Sequence, residues 1–236
     1  KRQAGGNVSL TVVLTTPACP MKEKIEGDCI AAIRRIPEIK EIRISMSSEV
    51  KAGRVDAGKT AIAGVRNIIA VGSGKGGVGK STTAVNIAVS LARLGARTAI
   101  LDADIYGPNV PSMLGATGRP KVVDNRIIPI EAYGIAIMSM GFMVSDDQPL
   151  VWRGPMLHGV LKQLLQDVNW GTRDYLIIDL PPGTGDVQLS LSQTVPLTGT
   201  VIVTTPQNIA LQDAKKGITM FQKVKVPILG LVENMS

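Results

Sequence analysis

From about residue 67 onward, short apolar runs alternate with longer amphipathic segments. The apolar runs predict six strands, at 67–73, 97–103, 133–140, 175–180, 199–205 and 227–234. Between them, apolar positions recur at helical spacing and predict helices near 80–94, 154–168, 187–195 and 209–224. Because strands that are apolar throughout are buried on both faces, the pattern predicts an α/β fold. We expect a doubly wound, mostly parallel sheet covered by helices.

The first fifty residues show a different, smaller pattern. Residues 8–15 and 41–46 predict two strands. Residues 21–36 between them predict a helix whose apolar stripe is formed by Ile25, Cys29, Ile33 and Ile36. This arrangement is typical of a small α+β domain.

The segment 51–66 has three glycines and no strong periodicity, which predicts a linker. We therefore expect part of a small α+β domain at 1–50, a linker at 51–66 and a larger α/β domain at 67–236. Because the sequence starts with Lys1 rather than Met and stops at Ser236, we expect a fragment at both ends.

Composition and charge narrow the class of protein. A hydrophobic fraction of 44% and a charged fraction of 19% are typical of a folded globular protein. An aromatic fraction of 3% argues against a base-stacking platform for single-stranded nucleic acid. The longest uncharged stretch, 187–212, is rich in Ser, Thr and Gln and predicts no membrane span. The net charge of +7 comes without a block of five like charges, so it supports a nucleic-acid or membrane surface only weakly.

A glycine-rich segment joins the first strand of the larger domain to its first helix. Residues 72–83 read GSGKGGVGKSTT and contain the pattern G-x-x-x-x-G-K-[ST]. Glycines let several backbone N–H groups converge on one anion, and the helix N-terminus adds its dipole. Lys80 offers a charge to the terminal phosphates, and the Ser81 hydroxyl can bind Mg²⁺. The predicted nucleotide site comprises Gly74, Lys75, Gly76, Gly77, Val78, Gly79, Lys80, Ser81 and Thr82.

A second pattern overlaps this loop. Gly72, Gly74 and Gly77 match the dinucleotide fingerprint G-x-G-x-x-G, and Asp102 ends the next strand, where a ribose-binding acid would lie. The pair Lys80-Ser81 favours the phosphate loop, because a dinucleotide site needs neither a lysine nor a hydroxyl at those positions.

The loop and three later segments resemble the ParA/MinD/nitrogenase-reductase superclass. Lys75 gives the loop the form K-G-G-V-G-K-S-T, similar to the deviant Walker A motif of that group. The resemblance implies an ATP-sandwich homodimer in which Lys75 reaches the partner's nucleotide. Asp104 in LDADIYGPN matches the switch I aspartate that positions water, and Asp179 in YLIIDLPPGTGD matches the Walker B carboxylate. Asn234 in VENMS can both donate and accept, which suits the edge of adenine.

These resemblances imply roles for individual residues. Lys75, Lys80 and Asp104 are the predicted catalytic residues. Ser81, Asp104 and Asp179 are the predicted Mg²⁺ ligands.

Longer segments make the resemblance more specific. SGKGGVGKST, LDADIYGPNVPSMLG, WRGPM, DYLIIDLPPGTGD, TTPQNIALQDAKKGI and ENMS together resemble the Mrp (ApbC-type) family of P-loop iron–sulfur cluster carrier proteins over nearly all of 66–236. Asn208 stands where an aspartate is more usual in that family. TTPACP at 15–20 resembles the small domain that precedes the P-loop in bacterial members.

The family implies a cytoplasmic homodimeric ATPase that uses ATP and Mg²⁺. Such an ATPase binds an iron–sulfur cluster and transfers it. The implied partners are apo iron–sulfur proteins and a cluster scaffold. The resemblance implies no binding to nucleic acid or membrane. Its cluster ligands are a Cys-x-x-Cys pair soon after the ENMS segment. Such a pair would lie beyond Ser236, so the resemblance assigns the cluster no ligand here.

The two cysteines have different surroundings in the sequence. Cys19 precedes the predicted helix 21–36, where a helix N-terminus favours thiolate, so it is a weak cluster candidate as well as an ordinary loop residue. Cys29 lies on the apolar stripe, and we expect it to be buried. The sequence contains one histidine, His158, which lies in a predicted helix. A single histidine excludes a metal site with several histidines within one chain.

Two other functions compete with the carrier. A ParA/MinD-type positioning ATPase would need a basic dimer surface or an amphipathic tail, and neither is visible. An electron-transfer ATPase like nitrogenase reductase carries cluster cysteines inside its nucleotide domain, whereas residues 67–236 contain none.

Overall fold

The computed structural model describes Arg2, Gln3 and residues 6–55, 58–105, 107–143, 154–183 and 185–236. They form two compact units: Lys1–Lys51 with Leu94–Ala96, and Ala52–Arg93 with Arg97–Ser236. None of the helices in the described ranges is long and apolar enough to cross a membrane.

The smaller unit is a three-stranded sheet with one helix. Its strands are β1 (Arg2–Gln3), β2 (Asn7–Leu14) and β3 (Glu41–Ser48), and its helix is α1 (Lys22–Arg34). β1 and β2 are antiparallel, whereas β2 and β3 are parallel with α1 as their crossover. This confirms the predicted strand–helix–strand order.

Cys29 is less buried than its position on the apolar stripe predicts. The expectation of a buried thiol is wrong, because Cys29 is half-buried and α1 has no fully buried residue. The reason is geometric: α1 packs on one face of a small sheet, chiefly against β3, and its other sides face outward.

Seven strands of the larger unit form one sheet. They are β4 (Val65–Ser73), β5 (Thr98–Asp102), β8 (Ile130–Ala132), β9 (Ile135–Ser139), β10 (Arg173–Asp179), β11 (Gly199–Thr204) and β12 (Ile228–Glu233). Their spatial order is β12-β11-β4-β10-β5-β9-β8, and every neighbouring pair is parallel except β8 and β9. All six predicted strands are confirmed.

Three short strands in the described part of the larger unit were not predicted. β8 pairs with β9 through a turn at Tyr133 and Gly134, both with positive φ. β6 (Lys121–Val123) and β7 (Arg126–Ile128) form a hairpin whose two turn residues, Asp124 and Asn125, also have positive φ. Each of these strands has three residues, too few to show an alternating pattern. The Asp-Asn pair was the available signal, because both residues tolerate the left-handed conformation of a tight hairpin turn.

The helices of the larger unit are α2 (Lys80–Arg93), α3 (Val110–Met113), α4 (Gly154–Gln166), α5 (Asp186–Thr194) and α6 (Asn208–Lys223), with a 3-10 turn at Met140–Phe142. The four predicted helices are confirmed to within two residues at each end. His158 lies in α4, and its side chain is outside the described part of the structure.

Alternate residues of the strands serve two separate cores. Ile177 of β10 faces α2, where it belongs to the same apolar cluster as Ala84 and Ala88. Leu176 and Ile178 face the other way, into a cluster with side chains of α4, α5 and α6. Successive strand side chains point to opposite faces, so a strand covered on both sides must be apolar throughout. These two layers confirm the doubly wound α/β sheet.

Much of the segment 51–66 packs with the larger unit. Ile62 is buried in its core, and Val65 begins β4. The backbone N–H of Gly53 donates to the Arg66 carbonyl at 2.9 Å, and that of Thr60 donates to Thr194 at 3.0 Å. The larger unit therefore starts before residue 67, because these residues have partners in its sheet and in α5.

Candidate nucleotide-binding site

The predicted site residues of the larger unit meet at the carboxyl edge of the sheet. β10 lies between β4 and β5, and its last residue, Asp179, pairs in register with Val71 and with Asp102. The loop after β4 and the ends of β5 and β10 therefore share one edge. In open α/β sheets, ligands bind in the crevice outside this edge.

The glycines of the loop have the conformations that the predicted phosphate loop requires. Gly77 and Gly79 have φ of +79° and +86°, in the left-handed region that favours glycine. A Cβ on Gly79 would also collide with the amide nitrogen of Asn234. Val78 between them is buried and anchors the loop in the core beside α2. The hydroxyl of Ser73 donates to the Lys75 carbonyl at 2.9 Å and holds the start of the loop.

Lys80 brings the predicted site residues together. Its ammonium lies 2.6 Å from Oδ1 of Asp179, 3.2 Å from Oγ of Ser81 and 3.6 Å from Oδ2 of Asp104. Lys80 is only 6% exposed, so these neighbours form its immediate surroundings. Residues from α2, from the end of β10 and from the loop after β5 therefore converge on one point.

Two carboxylate oxygens at this point are buried and have no hydrogen-bond partner among the residues that the structure describes. They are Oδ1 of Asp104 and Oδ2 of Asp179. Burial raises the pKa of Asp179, and the nearby Lys80 ammonium opposes that rise. Carboxylate and hydroxyl oxygens are the ligands that hard divalent cations take. The unpartnered oxygens beside Ser81 therefore fit a Mg²⁺ ion.

Asp102 performs a structural role that the sequence did not reveal. It is fully buried, and its carboxylate accepts the N–H of Asp104 at 3.1 Å, the N–H of Val110 at 3.1 Å and the hydroxyl of Ser139 at 3.2 Å. Burial, with a further contribution from the charge of Asp179, raises the pKa of Asp102 to about 7. Both oxygens are occupied by the chain itself, which argues against a ribose-binding acid.

Gly72 also argues against the dinucleotide pattern. It lies inside β4, and a Cβ there would face Phe221 and Leu180 at 3.5 and 3.6 Å. The glycine therefore serves the packing of α6 on the sheet rather than a turn around a ligand.

Asn234 contacts the loop itself. Its side-chain amide donates to the Val78 carbonyl at 3.0 Å, and its backbone N–H donates to Thr204 at 2.8 Å. The side chain thus links the end of β12 to the middle of the phosphate loop. Its predicted contact with adenine stays a prediction.

A cleft of about 440 Å³ opens over the loop. Ligand sites typically have volumes of about 300–1,000 Å³. Gly76, Ser81, Thr82 and Asp104 line it together with Asn109, Met113, Pro182 and Met235. Lys75 is exposed on the loop. Of the predicted nucleotide residues, Gly76, Gly77 and Gly79–Thr82 thus border one concave surface.

The remaining candidates lie elsewhere. Cys19 is in the smaller unit, half-buried in the turn before α1, and both Cys19 and Cys29 are free thiols. Tyr106, Thr184 and the first two residues of the WRGPM segment, 152–153, are outside the described residues.

Comparison with protein-family models gives two matches. The model described as NUBPL iron-transfer P-loop NTPase matches residues 64–236. The model described as iron-sulfur cluster assembly protein matches residues 2–46.

Several curated proteins named iron-sulfur cluster carrier protein are similar to this chain. That of Synechocystis sp. is 52% identical over 99% of this chain and 67% of its own length. Those of Deinococcus radiodurans and Escherichia coli K12 are 53% and 54% identical over 99% and 91% of this chain. These matches cover 66% and 58% of the two relatives. The chain thus spans about two thirds or less of the length of these relatives.

Solved structures are also similar. The nucleotide-binding protein of Archaeoglobus fulgidus, in complex with ADP, has a TM-score of 0.65 and 41% identity over 74% of this chain and 68% of its own. The cell division ATPase MinD of Pyrococcus furiosus has a TM-score of 0.52 and 22% identity over 71% of each chain. At that identity the second likeness shows the fold alone.

Proposed function

This chain belongs to the NUBPL iron-transfer P-loop NTPase family, and on that basis we propose that it is the ATP-binding and ATP-hydrolysing part of an iron–sulfur cluster carrier. The observation that carries the proposal is the convergence of Asp179, Asp104 and Ser81 on the buried ammonium of Lys80. This cluster of side chains lies beside the glycine loop, at the edge of the sheet where phosphates bind in such folds.

In this proposal the loop binds the polyphosphate of ATP. Backbone N–H groups of residues 74–82 and the N-terminus of α2 supply partial positive charge, and Lys80 supplies a full charge. The polyphosphate competes with Asp179 and Asp104 for the Lys80 ammonium. Ser81, Asp104 and Asp179 would hold Mg²⁺, which when bound neutralises charge on the phosphate oxygens.

Hydrolysis needs a positioned water molecule and a charge that stabilises the transferred phosphoryl group. Asp104 borders the cleft, and its Oδ1, which has no partner within the described ranges, can accept a hydrogen bond from water. Lys75 is exposed on the same loop, so it is free to reach a second copy of the chain. We assign the first role to Asp104 and the second to Lys75, acting across a homodimer.

The cluster is the cargo of the proposed reaction. A [4Fe–4S] cluster is usually held by four thiolates. Cys19 is the weak candidate here, and Cys29 is half-buried in α1. The resemblance to carrier proteins predicts a Cys-x-x-Cys pair beyond Ser236, so that two chains would supply four thiolates. The recipients would be apo iron–sulfur proteins of the cytoplasm.

The proposal is tested by anaerobic reconstitution with iron and sulfide. The samples are this chain and the intact gene product that contains it. Iron and sulfide analysis should find a stable cluster on the intact product and little on this chain. Transfer from the intact product to an apo acceptor should depend on ATP and lose that dependence in Lys80→Ala. A stable, stoichiometric cluster on this chain would shift the assignment to Cys19, and an intact product without a cluster would refute the carrier role.

A further inference from the structure

One buried carboxylate ties the loop after β5 to the neighbouring strand β9. Oδ1 of Asp102 accepts the N–H of Asp104, whereas Oδ2 accepts the N–H of Val110 and the hydroxyl of Ser139. Asp102 and Ser139 are both fully buried. Asp104 and Val110 bound the segment that carries the proposed water-positioning aspartate. Both ends of that segment therefore depend on the orientation of one carboxylate.

Ser139 also fixes the turn that follows β9. Its Oγ accepts the N–H of Gly141 at 3.0 Å while its hydroxyl donates to Asp102. The turn is packed tightly against Pro108 of the same segment. A Cβ on Gly141 would lie 3.0 Å from Cγ and 3.1 Å from Cβ of Pro108, closer than ordinary van der Waals contact. The end of β9 is thus linked to the segment through Asp102, and the turn after β9 lies close to Pro108.

We propose that Ser139 is a positioning residue for ATP hydrolysis: through Asp102, it sets the place of Asp104 in the cleft. The proposal rests on the proposed function, because it concerns the same reaction. Without the Ser139 hydroxyl, Asp102 keeps the N–H donors of Asp104 and Val110, one on each oxygen, and Oδ2 loses the donor that ties the carboxylate to β9. The terminal torsion of an aspartate is otherwise broad. Asp104, whose N–H is bound to that carboxylate, then shifts relative to the reacting phosphate.

The proposal separates turnover from binding. The loop 74–82 and Lys80 hold the phosphates, whereas the hydrogen bonds of the Ser139 side chain go to Asp102 and Gly141. Misplacement of a catalytic group by about 1 Å can cost up to about a hundredfold in rate. In Ser139→Ala we expect Asp104 to shift by less than this distance, which should lower kcat about tenfold. Kd for ATP measured without Mg²⁺ should stay close to the parent value, because the loop and Lys80 hold the phosphates without the help of Asp104.

Two further variants sharpen the test. Ser192→Ala is the matched control, because Ser192 is equally buried and its hydroxyl donates to the Gln188 carbonyl within α5. It should leave kcat unchanged. Gly141→Ala keeps the Ser139 hydroxyl but adds a Cβ that presses on Pro108 at 3.0 Å and on Oγ of Ser139 at 3.3 Å. It should reproduce the loss of kcat without a loss of nucleotide affinity.

Amide hydrogen exchange gives a readout that needs no turnover. Exchange at Asp104 and Val110 should accelerate in Ser139→Ala and stay at the parent rate in Ser192→Ala. Parent kcat in Ser139→Ala, or unchanged exchange at both amides, would overturn the positioning role. Equal losses in kcat, nucleotide affinity and melting temperature would show a merely structural role and also overturn it. If the parent itself fails to hydrolyse ATP, the proposed function fails, and the exchange rates alone decide whether Ser139 positions Asp104.

Discussion

The ammonium of Lys80 lies 2.6 Å from Oδ1 of Asp179, which joins the first residue of α2 to the last residue of β10. Asp179 is fully buried and Lys80 nearly so. Removing one partner of a buried ion pair leaves an uncompensated charge. This contact therefore couples the stability of the fold to the residue that the nucleotide needs most.

The first prediction concerns that coupling. Lys80→Ala should lower the free energy of unfolding at neutral pH by about 3 kcal/mol, because Asp179 and Asp104 lose their shared cation. Burial already raises the pKa of Asp179, and the folded state without Lys80 binds its proton more tightly still. Protonation removes the unpaired charge, so the loss should shrink as the pH falls from about 7 towards about 4.

Urea unfolding at several pH values measures this loss. Lys75→Ala is the control, because Lys75 is exposed and its removal should change stability little. A destabilisation by Lys80→Ala that is equal at all pH values would contradict the role of Asp179.

A second prediction concerns the opposite end of β10. Asp174 accepts two hydrogen bonds from the Arg97 side chain, at 2.8 and 3.0 Å, and one from the Arg97 backbone N–H at 3.0 Å. The hydrogen bonds from Arg97 hold the pKa of Asp174 below its ordinary value. A lowered folded pKa means that the contribution to stability is present above the unfolded pKa and is lost as the pH falls through the folded one.

Asp174→Asn should therefore cost about 2 kcal/mol at neutral pH. The difference from the parent should shrink as the pH falls through the unfolded pKa of about 3.9 and disappear below the lowered folded pKa, where both proteins carry an uncharged group. Glu131→Gln is the control, because the Arg173–Glu131 pair has a glutamate side chain that is 64% exposed. Its effect should be small at every pH. A cost for Asp174→Asn that persists unchanged in acid would refute the charge-based account.

The third prediction separates two roles of Asn234. Because its amide holds the Val78 carbonyl, Asn234→Ala should weaken binding of tripolyphosphate about fivefold, the equivalent of about 1 kcal/mol. If Asn234 also contacts adenine, ATP should lose more affinity than tripolyphosphate. Asn86→Ala, which removes a comparable amide bond to the Thr82 carbonyl on an exposed face, should affect neither. Equal losses would refute the adenine contact, and an unchanged tripolyphosphate affinity would refute the bracing of the loop.

The fourth prediction concerns Lys75 and Asp104 in a dimer. If Lys75 acts on the partner's nucleotide and Asp104 on its own, mixing Lys75→Ala with Asp104→Ala chains produces heterodimers with one intact site. The mixture should recover part of the ATPase rate that each variant lacks alone. Heterodimers that form but hydrolyse no ATP would remove the proposed action of Lys75 across the dimer.

The extent to which sequence predicts this molecule follows from the range of the interactions involved. The phosphate loop was predictable because its glycines, Lys80 and Ser81 lie within ten residues. The fold was predictable because the six parallel strands of the large sheet contain continuous apolar runs. The structural role of Asp102 was not predictable, because its partner Ser139 is 37 residues away and only the pairing of β5 with β9 brings the two together. Asn234 was singled out, but its contact with Val78 spans 156 residues and depends on the complete sheet.

Calorimetric titration of Mg-ATP into the parent chain and Lys80→Ala tests the nucleotide site most directly. The parent should bind Mg-ATP, and the variant should bind about a hundredfold more weakly, because charge-assisted hydrogen bonds contribute about 1.5–3 kcal/mol each. Equal affinities in a folded variant would contradict the assignment of residues 74–82 as the phosphate-binding loop.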